Sequence, residues 1–239
     1  MSTTERVDAP PQDPIFTRSG ALSGARQGLP LAASVFLVGT VFGVLARHAG
    51  LTLVETLLMS AIVFAGASQF VAVGLWAFPI PIAAIVLTTL IVNLRHVLLS
   101  AALRPWFRDL SRLRVYGSLF FMVDESWALT MGQVRAGARD RAFLIGAGSL
   151  MYLSWVSSTG AGYLAGSALG DLSRRGLDFA ITAIFTALLI GMWRGRSDLW
   201  PWLVSAGVAL ITWHLLPGTW YIVCGAVSGT VTGAVLDDE

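Results

Sequence analysis

Eight apolar runs joined by short connections occupy this 239-residue chain from Leu29 to Leu236. They fall at about Leu29–Ala46, Leu53–Phe78, Pro81–Leu103, Val115–Met131, Ala142–Leu169, Leu177–Trp193, Leu199–Leu215 and Thr219–Leu236. At 1.5 Å of rise per residue, a helix of roughly 17–25 residues matches the hydrocarbon core of a bilayer. Backbone polar groups in hydrocarbon must be satisfied within the protein, so only helices and closed barrels span. Continuous apolar runs of this length select helices. The expected fold is an all-α integral membrane protein, a polytopic bundle of seven or eight transmembrane helices, some of them broken at mid-membrane. Charged residues make up only 13% of the chain and its mean hydropathy is +0.71. An ordinary soluble domain, with about twice that share of charge, is excluded.

Residues 1–28 are polar, carry mixed charge and show no apolar periodicity, which predicts a mobile tail that is not removed as a signal peptide. Residues 29–236 then form a single transmembrane domain, and 237–239 an acidic end. Every basic residue is Arg and the net charge is +2, a balance that belongs to loops and not to a nucleic-acid surface. The one cysteine, Cys224, forms no intrachain disulfide, and the three histidines, His48, His96 and His214, have no ligand-like spacing. No metal site and no cofactor is expected. The absence of a Walker-type glycine motif argues against direct use of ATP.

Polar groups at membrane depth are costly unless they face protein or water, so each is a candidate site. The third run carries Asn93, Arg95 and His96 within four residues. On a 3.6-residue repeat Thr89, Asn93, His96 and Ser100 share one stripe, with Arg95 roughly opposite Asn93. Against the functional reading stand back-bonding by Thr and Ser, a single helix-joining Asn, and an Arg that snorkels to the interface. The second run contains Phe64-Ala65-Gly66-Ala67-Ser68-Gln69-Phe70. Two readings fit this segment: a break whose free backbone groups hold a carboxylate or ion, or close helix packing with one bond from Gln69.

The fourth run is short and holds Asp124-Glu125. Adjacent helical positions point about 100° apart, so one carboxylate can meet Arg95 or His96 while the other faces a proton path. Alternatively the run does not cross and the pair sits at an interface. Its flanking loops are both basic, with Arg104, Arg108, Arg112 and Arg114 before it and Arg135, Arg139 and Arg141 after it. A full crossing would put one of them outside, against the preference of basic loops for the cytoplasm. Gly162 and Gly166 form a GxxxG pair, and Gly225, Gly229 and Gly233 repeat the spacing as a smooth face for a neighbouring helix or a partner subunit.

The chain resembles the AzlC family of branched-chain amino acid exporters. The resemblance rests on Val41-Phe42-Gly43-Val44-Leu45 with Ala49-Gly50-Leu51, on Ser60, on Phe64 to Phe70, on Asn93-Leu94-Arg95-His96, and on Asp124-Glu125-Ser126-Trp127-Ala128-Leu129. It implies export of leucine, isoleucine, valine and possible methionine, together with a small AzlD-like membrane subunit. The expected function is secondary transport of these amino acids across the bacterial cytoplasmic membrane, coupled to protons, by a multi-pass protein that is not an enzyme. Gly66, Ser68, Gln69, Asn93, Arg95 and His96 are the expected substrate-binding residues. Asp124, Glu125 and His96 are the expected proton-coupling residues. The oligomeric state stays open, a homo-oligomer included.

Overall fold

The computed structural model describes residues 16–166, 186, 190, 193, 195–217 and 220–237. Nine α-helices occur among these residues: α1 (Arg18–His48), α2 (Leu53–Val63), α3 (Gly66–Gly74), α4 (Ile82–Leu103), α5 (Arg112–Phe120), α6 (Asp124–Arg135), α7 (Ala142–Gly166), α8 (Leu199–Leu215) and α9 (Trp220–Asp237). No strand occurs among them. Two helices, α1 and α4, are long and apolar enough to cross a membrane. The run at Leu177–Trp193 lies almost wholly outside the described residues, as do residues 1–15 and 238–239 of the chain ends.

The second and fourth apolar runs are not continuous helices. Each is a pair of short ones, α2 with α3 and α5 with α6. The chain divides into two compact units, Met1–Val35 with Leu98–Ser154, and Phe36–Val97 with Trp155–Glu239. Helices α5 and α6 lie wholly in the first unit. By the same count α2 and α3 lie wholly in the second unit.

In the first unit, Leu103, Trp106, Phe107, Met122 and Leu144 form the core, with Leu99, Leu119, Trp127 and Met131 packed on it. Polar bonds then tie its loops. Trp106 Nε1 donates to Ala138 O at 2.9 Å, and buried Arg141 donates from Nε to Trp106 O at 2.9 Å and from Nη1 to Arg139 O at 2.8 Å. Its guanidinium lies 5.7 Å from the centre of the Trp106 ring. The two basic loops on either side of the fourth run are therefore neighbours in space, which removes the conflict their sequence posed. Asp140 accepts from Ala142 N at the start of α7 and from the backbone N–H and hydroxyl of Thr17 at the start of α1. A carboxylate suits a helix N-terminus, where free N–H groups and the helix dipole favour negative charge.

Residues 18–28, expected as tail, are helical. Their packing surface is glycine: a Cβ on Gly24 would overlap the Phe143 carbonyl, and one on Gly28 would lie 3.3 Å from Met151 Cε. Gly146 on α7 meets Ala21 in the same way. Backbone packed on backbone leaves no apolar periodicity to read.

The second unit continues this contact. Gly39 lies opposite Ser158 and Trp155, Gly43 opposite Thr159, Gly162 opposite Thr40, and Gly166 opposite Val44 and Arg47. Numbers rise together along both helices, so α1 and α7 run parallel. Helix α1 stops at Gly50, φ 87°, where Leu51 N donates to Ala46 O and Gly50 N to Arg47 O; this is the glycine-terminated helix end that closes the last carbonyls. Thr52 and Glu55 then cap α2 reciprocally, with Thr52 N donating to Glu55 Oε2 at 2.7 Å and Glu55 N to Thr52 Oγ1 at 3.2 Å. Arg47 lies 5.0 Å over the Tyr163 ring, whose hydroxyl donates to Leu51 O.

Helices α8 and α9 form an antiparallel pair. Ser205 Oγ donates to Gly225 O at 2.8 Å, and Cβ atoms on Gly225 and Gly229 would lie 3.0 Å from Ala209 Cβ and 3.2 Å from Pro201 O. The Gly225, Gly229, Gly233 face is thus covered by α8 and is not open to a partner subunit.

Candidate functional site

Helix α2 ends where Phe64 turns into the left-handed region at φ 43°, ψ 46°, and Ala65 follows at φ −139°, ψ 85°. A left-handed residue without glycine is uncommon and persists only when its surroundings hold it. Here the holder is Gln69, only 1% exposed. Its Oε1 accepts from Ala65 N at 3.2 Å and from Trp155 Nε1 at 3.1 Å, and its Nε2 donates to Ser60 Oγ at 3.1 Å. Ser60 Oγ in turn lies 3.0 Å from Thr159 Oγ1. Ser68 Oγ donates to Ala65 O at 2.9 Å. Around this polar knot Phe42, Phe70 and Trp155 close an aromatic triangle, with ring centres 5.5, 5.7 and 6.4 Å apart.

The N–H groups of Gly66, Ala67 and Ser68 open α3 and have no partner within their own helix. No acidic side chain stands in that first turn. The positive end of the α3 dipole is therefore left without a carboxylate of its own helix, in an otherwise apolar run. Gln69 has its amide bonded to protein on both sides, so it holds the break in shape. Ser60, Trp155 and Thr159 were not among the expected site residues. Two of them carried a signal: Ser60 stands among the residues of the family resemblance, and Trp155 is a large ring with an N–H amid small residues of α7.

On α4, Ile82, Val86, Leu90, Leu94, Val97 and Leu98 are exposed. The covered arc opposite them runs through Thr88, Val92, Arg95 and Leu99, with His96 beside it and Asn93 and Ser100 at its edge. Arg95 thus lies closer to the middle of the covered face than Asn93 does, and the helical repeat alone did not say which side of the helix is covered. Thr89 bonds back to its own helix, donating to Ile85 O at 2.7 Å. Arg95 and His96 are half-buried and engaged by neighbouring groups. Among the described residues, Asn93 Oδ1 is buried and meets no hydrogen-bond donor. A buried acceptor of this kind costs free energy until a donor reaches it.

Asp124 and Glu125 occupy the first turn of α6 in the first unit, half-buried. Ser126 shapes this break: its Oγ accepts from Val123 N at 3.0 Å and lies 3.0 Å from Phe121 O. Phe120 and Phe121 rest on Tyr152 at 5.8 and 6.1 Å, and Gly148 admits the Phe121 carbonyl, which any Cβ there would overlap. Trp127 Nε1 donates to Leu99 O at 3.0 Å and anchors α6 to the end of α4. Two carboxylates at a helix N-terminus are favoured by its dipole. No cluster of three His, Cys, Asp or Glu that suits a metal ion occurs among the described residues.

A helical chain with two broken apolar helices has known relatives. The AzlC protein family matches residues 30–169. The chain belongs to the AzlC family. An Archaeoglobus fulgidus protein named as an uncharacterized membrane protein is 34% identical over 218 residues, 88% of this chain and 93% of the relative. The branched-chain amino acid transport protein AzlC of Bacillus subtilis is 28% identical over 209 residues, 85% of this chain and 81% of its own length. The inner membrane protein YgaZ of Escherichia coli is 27% identical over 238 residues, 96% of each chain. No solved structure matches. Both broken helices, the α4 polar residues and the acid pair of this AzlC-family membrane protein fall within the matched span.

Proposed function

We propose that this AzlC-family chain is a secondary transporter that exports branched-chain amino acids across a bacterial cytoplasmic membrane, with proton coupling and a small AzlD-like subunit. The observation that carries the proposal is the α2–α3 break, which presents the N–H groups of Gly66, Ala67 and Ser68 inside an apolar run and fixes them through Gln69. Such a helix start binds a carboxylate by its dipole and its orphan donors together. The naming of the Bacillus subtilis relative for branched-chain amino acid transport supports the substrate class. An aliphatic side chain asks only for an apolar surround, so the carboxylate and ammonium supply the polar recognition.

In this reading Ser68 and the α3 backbone take the carboxylate, and Asn93, with its orphaned Oδ1, accepts from the ammonium. Arg95 and His96 tune the charge of the covered face of α4. Asp124 and Glu125 carry the coupling proton, with His96 as a relay. Gln69 is a positioning residue. The spatially joined basic loops at Arg104–Arg114 and Arg135–Arg141 face the cytoplasm, as does the start of α1.

Efflux from dipeptide-fed cells that lack their own exporters tests the proposal, with the chain expressed alone and with an AzlD-like subunit. Faster efflux of leucine, isoleucine or valine is the expected result, strongest with both subunits present. Protein confirmed in the membrane but giving no efflux of any of the three under either condition sinks the substrate assignment.

A further inference from the structure

Helix α5 has its charges at the wrong end. Arg112 and Arg114 stand in its first turn, no acidic residue joins them, and Ser111 at the N-cap makes no side-chain bond. Cations at a helix N-terminus oppose the dipole, so these two do not stabilise the helix that bears them. Arg104 and Arg108 precede them in the connecting loop, and all four are exposed. Among the described residues none of the four guanidinium groups makes an ion pair or hydrogen bond; the nearby Asp109 lies 4.0 Å from Arg141 instead.

The same short helix exposes a strip of large apolar side chains. Leu113 is 84% exposed, Tyr116 69% and Phe120 45%. Positions i, i+3 and i+7 share one helix face. On that repeat Arg112 and Arg114 fall on either side of the strip, at its N-terminal end. Exposed apolar side chains leading away from unpaired arginines match one kind of molecule, an amphiphile with an anionic head.

We infer that Arg104, Arg108, Arg112 and Arg114 form a binding site for the phosphate headgroup of an anionic phospholipid, whose acyl chain lies along Leu113, Tyr116 and Phe120. Guanidinium is suited to this ligand because its planar fork donates two parallel bonds to a phosphate. A basic cluster next to a membrane-embedded segment draws anionic headgroups from the leaflet, with about a fivefold gain in occupancy for each arginine near the surface. The inference goes beyond amino acid transport and stands whether or not the chain exports.

Native mass spectrometry of the full chain in detergent, with phosphatidylglycerol or phosphatidylcholine added at equal concentration, tests it. The expected result is on the order of tenfold greater retention of phosphatidylglycerol. Arg108→Gln with Arg112→Gln and Arg114→Gln should remove that preference. Arg135→Gln with Arg139→Gln, exposed arginines of the neighbouring loop, should reduce it much less. Leu113→Asn with Tyr116→Asn should weaken lipid retention, while competition by glycerol phosphate should remain poor in the unaltered chain. Equal retention of the two lipids overturns the inference, as does equal loss in both arginine sets. Displacement of the lipid by glycerol phosphate at matched concentration would also overturn it, since the site would then take a soluble anion. Should the triple variant melt earlier than the parent, Arg112→Lys with Arg114→Lys decides: phosphatidylglycerol preference should persist in part, and its full retention or complete loss counts against bidentate headgroup binding.

Discussion

The two broken helices solve the same backbone problem in opposite electrostatic ways. At α2–α3 the break is held by an amide, Gln69, and the helix start that follows carries no acid. At α5–α6 the break is held by a hydroxyl, Ser126, and the helix start that follows carries two acids, Asp124 and Glu125. The first leaves a positive helix end without an acid of its own helix. The second has filled its own. A polar break in an apolar run is thus not one kind of site, and the residues of the first turn decide what it attracts.

Support from α7 also differs. Gly148 lets the α5–α6 break press its Phe121 carbonyl onto the α7 backbone, whereas Gly66 faces the rim of the Trp155 ring, where a Cβ would stand 3.0 Å from Cη2. Gly148→Ala should therefore be the more damaging change, destabilising by about 1–3 kcal/mol through displaced backbone, with Gly66→Ala well below it. Thermal melting in detergent would compare them, and equal melting points would erase this distinction between the breaks. Gln69→Leu should follow, at about 2 kcal/mol, because it strands Ala65 N–H and Trp155 Nε1 together and leaves Ser60 Oγ with Thr159 alone. Trp155→Phe, which keeps the aromatic triangle and drops a single bond, should cost about 1 kcal/mol; a loss as large as that of Gln69→Leu would mean the ring and not the bond network holds α3.

At the second break Ser126→Ala should cost about 1 kcal/mol as the loss of an N-terminal cap, read from the same melting curves. Asp124→Asn and Glu125→Gln should change stability least, by about 0.3–1 kcal/mol each through the helix dipole. Under the proposed transport mechanism their larger effect is on efflux. Normal proton-driven efflux in both variants would take the acid pair out of the transport mechanism and leave it a helix-end device.

The α2–α3 break was one of two readings open in the sequence, because Gly66 beside Ser68 and Gln69 weakens a helix within an apolar run but also suits close packing. The α5–α6 break was not legible, since Phe121-Met122-Val123 holds neither Gly nor Pro; only the brevity of the run and its acid pair hinted at it. Which arc of α4 is covered was not legible, for a simpler reason. Lipid and protein accept Leu, Ile and Val equally, so apolar residues on this helix do not point inward, and the polar ones alone drew a stripe through Asn93. The start of α1 was hidden because its partners are the backbone of α7 and Asp140. The GxxxG spacings, by contrast, announced close packing and said nothing of the partner, which for Gly225 and Gly229 is α8.

The glycine contact between α1 and α7 has a mechanical side. Gly24, Gly43, Gly146 and Gly162 bring one main chain against the other with no side chain between them. Turning α1 by one residue about its axis would drive Phe42 or Val44 into the seat that Gly43 fills. Rolling is blocked within each unit, so there the paired stretches of α1 and α7 keep one rotational setting, and a substitution at any of these glycines reads as a displaced backbone and not as a repacked side chain.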